Sequence, residues 1–337
     1  MRPTHSHLRH WPGLSVSPAS VRLDGGDIVI SRIGFGCAGL MRLPSARQRR
    51  RLVAAAIDAG LTHFDVARMY GLGAAEAELG RALQGRRDQV TIATKFGIDA
   101  SGALRWLGRL QAPARALLAR SSATRTAVRR RRETFAGPRV YDVSTARDSL
   151  DTSLRKLAVD HVDILFLHDP RPQDQIDPGL EAFLEETRAA GKIRSWGMSL
   201  DDPSGTEVLS RLPDDGVVQL RHDVLTETAP RPRSIAFGAL SAHLAISQWL
   251  SEAPDHRRRW AEAIGADPLE HDLLAELLLA HMLEQDGVMA SLYSTTQPRR
   301  LALPASIMRS DASSGRVDAF AACLATDRDA IARLAVR

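Results

Sequence analysis

Four polar residues stand at or just past the ends of three apolar stretches. Asp65 and Tyr70 follow Leu61-Thr62-His63-Phe64, Lys95 follows Val90-Thr91-Ile92-Ala93-Thr94, and His168 follows Val162-Asp163-Ile164-Leu165-Phe166-Leu167. A carboxylate, a phenol, an ammonium and an imidazole are groups that do acid–base chemistry. Singly, each has an ordinary structural reading. An Asp at a strand end caps a loop, a Lys there is solvated, a Tyr before Gly packs, and a His is held by hydrogen bonds. Repeated at successive strand ends, they read together as an active site, because the C-terminal strand ends of a parallel barrel converge on one rim.

The elements that must position them alternate in type. Short apolar strands are followed by amphipathic helices, which predicts a parallel sheet. Strands are expected at Ile33–Gly36, at the three stretches above, and at Ile193–Met198, Gly216–Leu220, Ser234–Phe237 and Gly287–Leu292. Ser45 is placed to cap a first helix that stops at Gly60, and Ser144 to cap the one carrying Leu150, Leu154 and Leu157. Eight strands are the number that a closed (β/α)₈ TIM barrel needs. An open doubly wound sheet is the rival, but Gly34-Phe35-Gly36-Cys37-Ala38-Gly39 does not open a helix as a dinucleotide-binding turn would. One barrel domain is expected over 21–337, after a loose leader over 1–20. A rim insertion is expected over 98–140, with helical pieces, and with poor order from Ser121 to Pro138.

Composition narrows the class. The 337 residues are 44% hydrophobic and 25% charged, which allows a core and argues against disorder. Cys37 and Cys323 fit neither a metal spacing nor a disulfide framework. The formal charge of +5 is concentrated in Arg49–Arg51, in Arg125 with Arg129–Arg132, and in Arg257–Arg259. No nucleic-acid motif accompanies these runs, so solvated helix faces are the better reading and no nucleic acid is expected. No apolar run reaches the roughly 20 residues that span a bilayer, and Met1–Ser20 has His and Pro where a signal peptide has its apolar centre. A cytoplasmic protein without membrane partners is expected.

The spaced motifs resemble those of the aldo-keto reductase superfamily, over most of the chain. FDVARMYG (Phe64–Gly71) and the following GLGAAEAELGRAL are similar to its pattern near strand two. ATKFG (Ala93–Gly97), SLDTSLRKLAVDHVDILFLH (Ser149–His168), GKIRSWGMS (Gly191–Ser199) and ASLYSTTQPRRL (Ala290–Leu301) follow in the family's order. The resemblance implies a (β/α)₈ barrel that binds a nicotinamide cofactor, with Asp65, Tyr70, Lys95 and His168 as its tetrad. In that tetrad Tyr70 is the proton donor, Lys95 favours its ionised form, Asp65 holds Lys95, and His168 orients the substrate oxygen. It also implies Ser199 and Gln219 at the nicotinamide carboxamide, although Leu200 stands where the family has Asn. Phe237 is the nearest aromatic to the family's stacking Tyr. Ser294, Thr295 and Thr296 would offer an anion site at a helix start, with Tyr293 in place of the usual Lys or Gly. Arg299 or Arg300 would pair with an adenosine 2′-phosphate, favouring NADP, with NAD as the alternative.

The function implied is an NADP-dependent aldo-keto reductase or aldose-type dehydrogenase acting on an aldehyde, ketone or sugar hemiacetal. Met41, Arg68, Trp106 and Asp169 are candidates to line the substrate pocket. The apolar Leu104, Trp106 and Leu107 would suit a bulkier substrate under a lid. The alternative is an NADPH-binding sensor or scaffold subunit without catalysis, which would have no need of all four tetrad groups.

Overall fold

A computed structural model describes residues 19–23, 28–100, 136–227, 230, 232–309 and 315–335. Its centre is a closed barrel of eight parallel strands. The first four are β1 (Ile33–Gly36), β2 (His63–Asp65), β3 (Thr91–Phe96) and β4 (Val162–His168). The others are β5 (Ile193–Leu200), β6 (Val217–Arg221), β7 (Ser234–Phe237) and β8 (Val288–Tyr293). They pair in chain order, and Tyr293 beside Phe35 closes the ring.

Strand alternation sorts the side chains. Ala93, Ile164, Phe166, Val217, Ile235 and Ala290 fill the interior together with Leu23, Ile28 and Ile30. The last three belong to a short antiparallel hairpin, Ser20–Arg22 with Val29–Ser31. Ser31 Oγ accepts from the amides of Thr62 and His63 at the start of β2, so the hairpin covers the end where the strands begin. The opposite rim is left for chemistry.

Helices α1 (Ala46–Asp58), α2 (Ala75–Ala82), α3 (Val143–Leu157) and α4 (Leu180–Ala189) follow β1 to β4. Ser45 caps α1 through a capping box with Gln48, as expected. Asp142, not Ser144, caps α3: its carboxylate accepts from Thr145 N at 2.6 Å and from the Ser144 hydroxyl at 2.8 Å. The alternation then lapses. A 3₁₀ segment, Pro203–Arg211, follows β5, and no helix lies between β6 and β7 among the described residues. Three helices instead separate β7 from β8: α5 (His243–Glu252), α6 (Pro254–Ile264) and α7 (Leu273–Glu284). The chain closes with α8 (Ala302–Arg309) and α9 (Gly315–Ala335). Ile246, Leu250, Trp260, Leu278, Phe320 and Ile331 join α5, α6, α7 and α9 in a second buried cluster beside the barrel.

Several strands run further than the sequence pattern predicts. β3 passes Thr94 to include Lys95, and β4 includes His168. Both residues therefore take their direction from the sheet rather than from a loop. Within the expected insertion, Ile98–Ala100 and Ala136–Arg139 pair as an antiparallel ladder, so 136–138 is strand where the sequence suggests poor order. Leu104, Trp106, Leu107 and the rest of 101–135 lie outside the described residues, as do 1–18 of the leader.

Four arginines of the basic runs are paired, and Arg125 with Arg129–Arg132 lies outside the described residues. Arg49 is buried against Glu78, and Arg257, Arg258 and Arg259 pair with Asp267, Asp255 and Asp327. Among the described residues no helix is long and apolar enough to cross a membrane.

Where α2 meets α3, a Cβ on Gly80 would sit 2.3 Å from Leu157 O. Gly→Ala inside a helix ordinarily stabilises by about 1 kcal/mol. Here the sign should invert, with Gly80→Ala costing on the order of 1–3 kcal/mol in urea unfolding, the range of an overpacked contact. A stabilised variant would show that the helices do not approach this closely.

Candidate active site

Strand register assembles the rim. Asp65 lies beside Gly36 on one side and Ala93 on the other, and Lys95 follows Ala93 on the same inward face. Further round, His168 lies beside Ser199, Ser199 beside Gln219, and Arg221 beside Phe237. The sequence-predicted groups thus meet at one end of the barrel.

Asp65 and Lys95 are 3% and 1% exposed. At that burial a lone charge costs several kcal/mol, and the two compensate each other: Lys95 Nζ donates to Asp65 Oδ2. The same carboxylate oxygen accepts from Gln219 Nε2 at 2.8 Å, and Gln219 Oε1 accepts from Ser199 Oγ at 2.6 Å. One chain of hydrogen bonds therefore crosses the barrel mouth from β5 through β6 to β2 and β3. Burial pulls the Lys95 ammonium below its ordinary pKa, while Asp65 acts in the opposite direction. Lys95 is a stronger acid than lysine in water.

Tyr70 opens the 3₁₀ turn Tyr70–Gly73 and is half-buried. Lys95 Nζ lies 5.5 Å from its ring centroid, and the His168 ring meets it edge-on at 6.2 Å. His168 is the last residue of β4, and its Nδ1 is buried with no hydrogen-bond partner. Burial first, then the positive charges of Lys95 and Arg139, push its pKa down to about 3. His168 is a neutral imidazole at neutral pH. Its main chain is fixed from both sides: Tyr141 Oη donates to His168 O at 2.7 Å, and Asp169 N donates to Ser199 O at 2.6 Å.

The remaining predicted positions also lie at this end. Leu200 points away from the mouth into the surrounding core and offers nothing in place of the family's amide. Phe237 is half-buried, with the Arg221 guanidinium 5.3 Å from its ring centroid and ion-paired to Asp201 at 2.6 Å. Beyond β8, the exposed Ser294 donates its hydroxyl to Gly36 O at 2.8 Å. Thr295 and Thr296 are half-buried, and Thr295 Oγ1 accepts from Gln297 N at 3.1 Å. The expected helix start is a 3₁₀ turn, Pro298–Leu301, whose first residue has no N–H, and α8 begins only at Ala302. Its free amides are fewer than the sequence pattern predicts. Arg299 and Arg300 on that turn are exposed cations.

Two expected pocket residues are otherwise engaged. Arg68 is buried, with both nitrogens of its fork on Asp99 at 2.6 and 2.7 Å and a third bond to Ser149 O at 3.3 Å. Asp169 pairs with Arg139 at 2.6 Å and accepts from Asp201 N at 3.0 Å. Met41 packs against Gly71, where a Cβ would approach its Cγ to 2.2 Å. Groups the sequence did not reveal include the buried Cys37 thiol, kept protonated chiefly by burial, and the rim arginines Arg139 and Arg221. A cavity of about 970 Å³ lies on the outer side of β4 and β5, lined by Leu167, Trp196 and Met198. Arg139 and Tyr141 reach its lining, but Asp65, Tyr70, Lys95 and His168 do not, and it is not this site.

The model of the aldo/keto reductase family matches residues 32–232, well over half of the chain. The chain belongs to that family. Among its aldo/keto reductase relatives, D-threo-aldose 1-dehydrogenase from Pseudomonas sp is 28% identical over 263 residues, 72% of this chain and 73% of that protein. An aldo-keto reductase of Schizosaccharomyces pombe, yakc [NADP(+)], is 29% identical over 52% of this chain. An uncharacterised oxidoreductase of Bacillus subtilis, YqkF, is 28% identical over 54% of it. The match spans 44% and 49% of the length of these last two. A glycerol dehydrogenase from Gluconobacter oxydans shares the fold, with TM-score 0.65 at 19% identity over 92% of this chain and 96% of its own. So does the holo form of an aldo-keto reductase from Bacillus halodurans, with TM-score 0.62 at 21% identity over 94% and 95%.

Beneath the rim, His63 is fully buried and its Nδ1 faces Thr91 Oγ1 at 2.9 Å. Burial pushes its pKa down to about 4, against the pull of Asp65 and Asp163. The folded values of His63 and His168 both lie below the ordinary 6.5, so at intermediate pH the unfolded chain binds more protons. Stability should therefore be full above pH 6.5 and fall as pH drops toward 4, by up to about 1.4 kcal/mol per pH unit for each imidazole. Urea unfolding at pH 7, 6 and 5 reads this slope, and His63→Gln should remove one imidazole's share. A slope unchanged in that variant would mean that His63 is not held neutral in the fold.

Proposed function

We propose that the chain is an NAD(P)-dependent oxidoreductase interconverting an aldehyde, ketone or sugar hemiacetal with the corresponding alcohol or lactone. The supporting observation is the juxtaposition of the Tyr70 phenol with the buried Lys95–Asp65 pair and the neutral His168. Reducing a carbonyl needs a hydride on carbon and a proton on oxygen. A bound nicotinamide supplies the hydride, which no side chain can.

The chain's own groups handle the proton. A phenol with a pKa near 10 is a weak acid and, once ionised, a strong base. The Lys95 charge favours the ionised phenol and brings Tyr70 closer to working pH, while Asp65 keeps Lys95 charged and in place. His168 titrates near 3, so it carries no acidic proton at neutral pH. That leaves Tyr70 to give the proton to the substrate oxygen, or to take it in oxidation. His168 donates a hydrogen bond to that oxygen and stabilises the charge that develops there.

The donor set fits a nicotinamide dinucleotide. The Ser199 hydroxyl oxygen and the Gln219 carbonyl oxygen each keep acceptor capacity after the bonds they make, enough for a carboxamide N–H. Phe237 offers a ring face for stacking. Ser294, Thr295 and Thr296 with Arg299 and Arg300 offer hydroxyls and cations to an adenosine 2′-phosphate, which favours NADP over NAD. The NADP(+) in the name of the fission-yeast relative supports that preference, and the aldose dehydrogenase supports a hemiacetal substrate.

Tyr70→Phe tests the reading. Turnover of aldehydes or aldoses should fall by about 10²–10⁴, the share of a general acid–base group, while NADPH affinity stays within about twofold. Near-normal turnover in this variant would sink the assignment.

A further inference from the structure

The turn after Tyr70 takes an unusual path. Gly71, Leu72 and Gly73 all have positive φ, at 60°, 56° and 86°. For Leu72 that conformation is disfavoured sterically, so the surroundings must impose it. Met41 packs against Gly71 on one side. On the other, Lys156 Nζ reaches across from α3 and donates to Gly73 O at 2.9 Å.

Lys156 is held in turn. Its ammonium lies 3.7 Å from Glu76 Oε2, a carboxylate with no exposed surface near the start of α2. The other oxygen of Glu76 accepts from Thr94 Oγ1 at 2.9 Å. Thr94 immediately precedes Lys95 on β3, pointing outward where Lys95 points inward. A polar path therefore runs from the turn through Lys156, Glu76 and Thr94 to the strand that carries the ammonium facing Tyr70. A carboxylate this deeply buried is costly unless it is paired.

We propose that Lys156 is a positioning residue for proton transfer: with Glu76 it ties the Tyr70 turn to β3 and so sets the separation of the phenol from Lys95. The inference rests on Tyr70 being the proton donor. Charge–charge attraction weakens as separation grows, so a slack turn leaves the phenol less acidic. Lys95 and His168 face the Tyr70 ring from the barrel, with Asp65 paired to Lys95. On the turn's other side Lys156 meets Gly73 O and Glu76, and Arg68 is paired with Asp99.

The titration of Tyr70 is readable without substrate. The chain has three tyrosines. Burial pushes the phenols of Tyr141 and Tyr293 up. The first tyrosinate absorbance to appear as pH rises then belongs to Tyr70, and Tyr70→Phe identifies it by removing it. Lys156→Met should move that step to higher pH, by about one unit. It should also lower kcat about tenfold with NADPH affinity within about twofold. Lys156→Arg, which keeps both charge and donor, should restore the early titration.

Loss of a cation alone would also raise the phenol's pKa. The double variant Lys156→Met/Glu76→Gln separates the two causes, because it removes one charge of each sign. A purely electrostatic role predicts a return to the wild-type titration, whereas the positioning role predicts that the step stays raised. An unshifted step in Lys156→Met, or its return in the double variant, overturns the proposal. Normal turnover in Tyr70→Phe would instead overturn the functional reading beneath it.

Discussion

The buried ion pair between Lys95 and Asp65 is the constraint around which the rim is organised. Neither charge is tolerable alone at that depth, and breaking such a pair typically costs about 3–5 kcal/mol. The barrel surrounds the pair with partners instead. Gln219 shares the carboxylate, Ser199 fixes Gln219, and the Tyr70 ring lies over the ammonium. Each comes from a different strand or loop, so the closed register of the barrel is a precondition of the site. In return, the site holds an ammonium in a place where water cannot screen it, and a neighbouring phenol feels it strongly.

The same barrel holds a second buried aspartate with a different outcome. Asp163 on β4 accepts from Arg87 at 2.9 Å, Arg194 at 2.8 Å and Ile92 N at 2.8 Å, so its acceptor capacity goes to structure. It lies near the strand starts, where Asp65 lies at a strand end. The contrast matches the general pattern of such barrels, stability at one face and chemistry at the other.

How much of this is legible in the sequence depends on the range of the interaction. The eight strands and the positions of Asp65, Tyr70, Lys95 and His168 are local features, read from apolar runs and the polar residues that terminate them. Apolar patterning ends β3 and β4 too early because Lys95 and His168 are polar, although the sheet continues through them. It favours Ser144 over Asp142 as the cap of α3 because both are good capping residues two positions apart. The loop position of Arg68 points to the pocket, whereas Asp99 and Ser149 O draw it inward. The tie between Lys156 and Gly73 O joins residues far apart in sequence, and nothing local to either announces it. The lapse in helix alternation after β5 is hidden for a similar reason: the helical patterns are present, but gathered between β7 and β8.

The groups around the Lys95–Asp65 pair are proposed as a nicotinamide dinucleotide site. A fluorescence titration of the purified chain with NADPH, and separately with NADH, tests it most directly. NADPH should bind saturably, with NADH weaker because it lacks the phosphate that Arg299 and Arg300 would meet. Failure to bind either nucleotide would contradict the proposal, and would mean that the rim of this barrel serves some other chemistry.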